Sequence, residues 1–250
     1  SELAKIGIIL FLAAYISSKS REMRQWQKMV IPFLFAIPII VIVGIENLST
    51  CIILLAISFI MIFVATPLLV PFVVIGLIGV AGAGGLLLTQ GYRMERITVW
   101  LDPAASEKGH QTIQGLYAIG SGGLFGKGLG QSMQKLGFLP EANNDMIFSV
   151  ICEELGLFGA LCVLALFFAL IWRFMVIAVN APDLYGSMIV VGVIAHIGIQ
   201  VFINIAVATN TIPNTGIPLP FISYGGSSLI FMLLEMGLVL SVSRYINVKK

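Results

Sequence analysis

Charge is what this chain lacks. Only 10% of its 250 residues are Asp, Glu, Lys or Arg, against about 25% in a soluble domain. A water-soluble fold of this length needs a polar shell, and this sequence cannot supply one. In a bilayer the outer surface should itself be apolar, and 58% of the residues are hydrophobic. The chain is therefore read as an all-α, polytopic integral membrane protein. A formal net charge of +2 fits loop Lys and Arg at a membrane face and gives no basis for nucleic-acid binding.

A spanning helix takes about 20 mostly apolar residues. Seven runs are candidates: 3–16, 30–44, 48–65, 69–88, 146–174, 184–208 and 227–242. They are continuous, without the alternating polarity of barrel strands, so helices are expected. With seven spans, Lys19, Arg21, Arg24, Lys28, Arg173, Arg244, Lys249 and Lys250 all fall on one side, read as the cytoplasm. The opposing loops at 45–47 and 209–224 contain no Lys or Arg. The whole of 1–250 is read as one transmembrane domain. Within it, 89–145 is a large extracytoplasmic loop, too long to be a mere connection. Its apolar residues Ile113, Leu116, Tyr117 and Ile119 predict a short helix on or re-entering the membrane surface. Ser1 opens an already apolar segment, which reads as the start of a trimmed or partial chain.

Cys51, Cys152 and Cys162 lie in apolar stretches without C-x-x-C spacing and read as small buried hydrophobes. His110 and His196 are too far apart in sequence to form a helical zinc pair. No metal site is predicted and no cofactor is assigned; a divalent cation, Mg or Mn, is compatible with the chain.

The run from Gly120 to Gly130 looks like a phosphate loop but fails its patterns. G-x-x-x-x-G-K requires glycine where Ser121 stands, and G-x-G-x-x-G requires it where Gln131 stands. A compact turn is the plainer reading; backbone N–H groups facing a pyrophosphate is the alternative. Asp145 opens the fifth span. It reads either as a helix cap or as a carboxylate placed to take a proton from a hydroxyl. Glu153 and Glu154 follow on the same span and should face the protein interior or a wet cavity, as structural ion pairs or functional groups. Glu2 and Lys5 are spaced to pair on one helix face. Lys5 could also snorkel or meet an anionic head group. His196, Gln200 and Asn204, four residues apart, with Glu235 in the last span, predict interhelical hydrogen bonds. Gly76, Gly79 and Gly82 predict close helix packing.

Three blocks carry a family resemblance. The first runs from Gln111-Thr112-Ile113-Gln114 through the glycine-rich segment to Leu139-Pro140-Glu141, Asp145 and Glu153-Glu154-Leu155-Gly156. The second is Pro213-Asn214-Thr215-Gly216-Ile217-Pro218-Leu219-Pro220-Phe221-Ile222-Ser223-Tyr224-Gly225-Gly226-Ser227-Ser228-Leu229. The third is Ser1-Glu2-Leu3-Ala4-Lys5. In this order they resemble the SEDS (shape, elongation, division and sporulation) family, and the details around Gln134-Lys135-Leu136 and Asn214-Thr215-Gly216 are closer to its division and sporulation branch.

The resemblance implies a peptidoglycan glycosyltransferase of the bacterial inner membrane, serving division or shape. The family usually has ten spans, so this chain would cover the fourth to tenth. The implied substrate is lipid II. The implied partners are a class B penicillin-binding transpeptidase and other proteins of the division or elongation complex. Carried over by motif position, Asp145 would be the general base. Lys5, Arg93, Arg96 and Lys135 would meet phosphates, Gln111 and Gln114 sugar or peptide, with Glu2, Glu141 and Glu153 as further substrate-binding candidates. A lipid II flippase and a non-catalytic scaffold for the transpeptidase are the competing readings.

Overall fold

A computed structural model describes residues 2–20, 26–66, 91–106 and 109–246, with the backbone alone at 26–29 and 91–93. Among these residues the secondary structure is helical. The helices are α1 (Glu2–Ser18), α2 (Trp26–Glu46), α3 (Leu48–Ala65), α4 (Gly91–Leu101), α5 (His110–Gly122), α6 (Ile147–Val179), α7 (Leu184–Ala208) and α8 (Gly226–Arg244). Short 3-10 turns sit at Pro103–Ala105 and Gln134–Leu136.

Four helices, α3, α6, α7 and α8, are long and apolar enough to cross a membrane, and 30–46 is a shorter apolar stretch within α2. The span expected at 69–88, with its glycines Gly76, Gly79 and Gly82, lies outside the described residues. So do Arg21, Arg24, Lys249 and Lys250 and the side chain of Lys28. Among the described residues of the segment read as the long loop, α4 and α5 are helical, and α5 covers the short helix expected around Ile113–Ile119.

The chain forms two compact units. The first comprises Ser1–Ile78, Ala169–Ile199 and Gly226–Lys250. There α1 and α2 both pack on α3, burying Ile9, Leu12, Leu54, Ile57 and Met61 completely. The α2–α3 corner is set by Asn47, whose side chain accepts from the Thr50 N–H at 3.0 Å and caps α3. Glu2 and Lys5 form the expected pair, at 2.7 Å, with Lys5 only 2% exposed. His196 Nδ1 lies 2.9 Å from both carboxylate oxygens of Glu235, so this end of the polar stripe makes an interhelical bond between α7 and α8. Cys51 is buried as expected; Cys162, in the second unit, is exposed on α6, an apolar flank on which a thiol suits hydrocarbon as well as a core.

The second unit comprises Gly79–Phe168 and Gln200–Gly225. Its frame is an interlock between the glycine-rich loop and α6. The helix is broken at Gly156, with φ 68° and ψ −168°, which frees its carbonyls. Lys127 and Gly128 N–H groups donate to the Glu153 and Glu154 carbonyls at 2.9 Å each. Leu157 and Phe158 N–H groups donate to Gly123 and Leu124 carbonyls at 2.9 and 3.1 Å. The loop therefore uses its backbone donors inside the protein, as a structural turn.

Candidate active site

The loop is secured by the two glutamates as well. Glu153 is fully buried. Its carboxylate accepts from Lys127 Nζ at 2.7 Å, Ser132 Oγ at 2.5 Å and, more weakly, the N–H groups of Met133 and Gln134. Glu154 accepts from Lys135 Nζ at 2.5 Å and the Gly130 N–H at 2.9 Å. Lys135 and Glu153, both expected near substrate, are thus engaged with loop and helix.

Beside this frame lies an open cleft of about 380 Å³. Glu95, Arg96 and Val99 of α4 line it, with Gln111 and Thr112 of α5. Glu141 and Asp145 come from the loop before α6, and Asn214 and Gly216 from the loop after α7. Four residues singled out from sequence converge here: Arg96, Gln111, Glu141 and Asp145. Gln114, on α5, is half-buried and is not among the lining residues. Lys5 and Glu2 belong to the first unit. The side chain of Arg93 lies outside the described residues.

The polar groups are chained. Arg96 Nη1 donates to the Asn214 carbonyl at 3.3 Å. Asn214 Nδ2 donates to Gln111 Oε1 at 3.1 Å, and Gln111 Nε2 reaches Asp145 Oδ1 at 3.4 Å. Gln111 is thereby oriented with its amide donor toward the carboxylate. Asn214 and Glu95 were not picked out from sequence. Asn214 was visible only as part of a motif block, and nothing local signals its bond to a residue 103 positions away.

Asp145 is only 8% exposed. Burial holds its carboxyl above the ordinary carboxylate range. The negative charge of Glu141 adds to that rise, while backbone hydrogen bonds and the one from Gln111 oppose it. Glu141 itself adopts φ 53°, a conformation uncommon for a non-glycine residue. Its carbonyl accepts from the Asn144 N–H at 3.0 Å and its carboxylate from the Asn144 side chain, so the turn into Asp145 is closed on itself.

Two residues of α7 hold this turn against the next loop. Asn204, 1% exposed, donates through Nδ2 to the Asp145 carbonyl at 2.7 Å and the Ile217 carbonyl at 2.8 Å. Gln200 donates to the Pro218 carbonyl at 3.1 Å. Ser223 Oγ bonds the Asn144 carbonyl at 2.6 Å, and the Tyr224 N–H bonds the Asn143 carbonyl at 2.8 Å. Asn204→Leu keeps the volume but strands two buried carbonyls, at about 1–3 kcal/mol for each unsatisfied group. Thermal unfolding in detergent is expected to show a clear loss of stability. An unchanged transition would mean that Asn204 does not hold the two loops.

Among the described residues no group of three His, Cys, Asp or Glu side chains is arranged to hold a metal ion. The described lining of the cleft offers three carboxylates, Glu95, Glu141 and the buried Asp145 with its raised pKa, together with the Arg96 guanidinium and two primary amides. That set can remove a proton, balance an anion and hydrogen-bond hydroxyl or amide groups.

Comparison with known proteins places the chain among relatives. The family described as cell cycle protein, FtsW/RodA/SpoVE, matches residues 1–248. Stage V sporulation protein E of Bacillus subtilis is 47% identical over 251 residues, covering 98% of this chain and 68% of that protein. A probable peptidoglycan glycosyltransferase FtsW of a Geobacter species is 36% identical over 247 residues, covering 97% of this chain and 67% of that protein. Among solved structures, a peptidoglycan synthase complex coordinating polymerization and crosslinking matches with TM-score 0.78 and 28% identity, over 99% of this chain and 70% of that one. The rod shape determining protein RodA of Thermus thermophilus matches with TM-score 0.64 and 28% identity, over 98% and 65%. The chain spans about two thirds of the length of these relatives.

Proposed function

The chain belongs to the FtsW/RodA/SpoVE family of cell cycle proteins, and from that membership we infer that it is a membrane-embedded peptidoglycan glycosyltransferase whose general base is Asp145. The observation that carries the assignment of Asp145 is its place in the cleft: a largely buried carboxylate joined through Gln111 and Asn214 to Arg96.

The substrate is lipid II, in which a disaccharide-pentapeptide is linked through pyrophosphate to a polyprenol. The acceptor sugar's 4-hydroxyl gives its proton to Asp145 as its oxygen bonds the anomeric carbon of the donor. The bond from that carbon to the pyrophosphate oxygen breaks, and the lipid pyrophosphate leaves with the electron pair. Partial desolvation makes Asp145 a stronger base than a carboxylate in water. Arg96 is the cation of the cleft, placed to balance the leaving anion. Gln111 and Asn214 orient the base and offer amides to sugar or peptide. Glu141 sets the charge near Asp145. We assign Lys135 and Glu153 to holding the loop that walls this unit, because each is already bound to a partner of opposite charge.

The membrane is the bacterial cytoplasmic membrane. The segment that carries most of the cleft is read as extracytoplasmic, the side on which lipid II is consumed. A transpeptidase is the expected partner, since a solved relative is a complex that couples polymerization to crosslinking.

The test is incubation of the complete protein, with its transpeptidase, with labelled lipid II in detergent or liposomes. Glycan polymer on a gel is the expected result. Lipid II transport without polymer would replace this reading with a flippase. Polymer only from the partner would leave a scaffold.

The acid side of the rate profile gives a second check. Asp145 must be ionised to accept a proton, so kcat/KM should fall as pH drops through its pKa, which lies above the usual carboxylate value of about 3.9. Glu141→Gln removes a negative charge that raises that pKa, so the limb should move to lower pH. A limb that stays in place would detach Glu141 from the base.

A further inference from the structure

The glycine-rich loop carries large apolar side chains that its own unit leaves uncovered. Leu124 is 66% exposed, Phe125 80% and Leu129 76%. They lie in a segment between helices, where no spanning element requires them.

Helix α6 supplies the reference. The helix is long and apolar enough to cross a membrane, and it is interrupted at Gly156, where the backbone is not helical. Just before the break lie Glu153 and Glu154, whose carboxylates have drawn lysines and backbone N–H groups around them. Beyond the two glutamates the outward face of the helix turns apolar, with Leu166 and Phe168 exposed as well, so a membrane boundary at the glutamates fits this face. Leu157 and Phe158 follow directly beyond the break. They are 52% and 65% exposed and begin an apolar flank that continues through Leu161.

The loop is bonded at that depth. The Leu157 and Phe158 N–H groups donate to Gly123 and Leu124 carbonyls, which fixes Leu124 and Phe125 level with the first lipid-facing turn beyond the kink. Lys127, next along, is tied up to Glu153 at the boundary. The apolar side chains continue the flank of α6, and the charges stay above it.

We propose that the loop tip formed by Leu124, Phe125 and Leu129 is immersed in the acyl region of the lipid leaflet beside α6, and that the occupant of this surface is lipid hydrocarbon. Insertion of about 5–10 Å is the depth at which interfacial apolar faces are buried. The loop thereby acts as a membrane anchor for the frame on which Glu153 and Glu154 sit. The inference rests on the membrane reading alone and is independent of the reaction.

The test places a small environment-sensitive fluorophore on Phe125→Cys, and separately on Leu129→Cys, in a Cys162→Ala background. Ala104→Cys, exposed in the Pro103–Ala105 turn, is the aqueous reference. The proteins are reconstituted in phosphatidylglycerol–phosphatidylcholine vesicles. Labels at 125 and 129 should be quenched by lipids carrying a nitroxide high on the acyl chain, and several-fold less by iodide than the label at 104. Iodide quenching equal to that at 104 would overturn the proposal. Shielding from both quenchers would also overturn it, and would assign the surface to a protein, a second copy or a partner. Two label sites keep the answer available if one variant does not fold.

Discussion

Asp145→Asn is expected to abolish glycan polymerisation while leaving the protein folded. The amide has the volume of the carboxylate and can still accept from Gln111 Nε2, so the chain of bonds to Asn214 and Arg96 survives. What disappears is basicity. General-base catalysis contributes about 10²–10⁴-fold, which at 1.36 kcal/mol per decade is roughly 3–5 kcal/mol of barrier. Stability should move little, and upward if at all. Burial raises the Asp145 pKa in the folded protein, so the ionised side chain costs stability at neutral pH, a cost that shrinks as pH falls below the folded pKa and is gone below the unfolded one. The amide carries no such cost. Polymer on a gel and a thermal melt, taken on the same preparations, decide the matter. Comparable polymer from both proteins would remove Asp145 as the base. Loss of activity with an early melt would make Asp145 a packing residue.

The apolar runs gave the helices because hydrocarbon leaves a spanning chain no other way to pair its backbone. Residues 48–65 and 184–208 match α3 and α7 at both ends. Where the reading was too short, polarity was the wrong signal. The run from 30 to 44 became Trp26–Glu46, since helices extend into polar residues once the turn is nucleated. The span at 146–174 became Ile147–Val179, with a break at Gly156 that hydropathy cannot register. Arg96, Gln111, Glu141 and Asp145 could be singled out because the family resemblance implied a reaction that needs a base, a cation and polar groups for the substrate in this part of the chain. Their convergence, and the part of Asn204 in holding Asp145, depend on bonds across 59 to 118 positions that no local pattern encodes. Lys135 and Glu153 illustrate the same limit. Sign and position make each a substrate candidate, and only the fold reveals the partner already in place.

Gly156→Ala should cost more stability than any exposed substitution in this chain. At φ 68° and ψ −168° Gly156 occupies a region that is essentially restricted to glycine. A Cβ there would lie 2.3 Å from the Gly126 nitrogen and 2.6 Å from the Leu124 carbonyl group. Those atoms are backbone, so no side chain can rotate away. Gly126 is locked reciprocally, for its own Cβ would come within 2.2 Å of the Glu154 carbonyl oxygen. Strain of about 1–3 kcal/mol at the dihedrals adds to about 1–3 kcal/mol of overpacking. The only relief is to push the glycine-rich loop out of the break. That would separate the Lys127 and Gly128 N–H groups from the Glu153 and Glu154 carbonyls and pull Lys127 from a fully buried carboxylate. Unfolding should therefore begin in the loop, so proteolysis or amide exchange across residues 123–135 should rise before the global transition falls. Gly123→Ala is the control, since its Cβ would meet nothing within 4 Å although its φ is 57°; it carries the dihedral strain without the clash. If Gly156→Ala and Gly123→Ala melt alike, backbone conformation alone sets the cost. A much larger loss at Gly156 would identify the interlock as the element that holds the glycine-rich loop to α6.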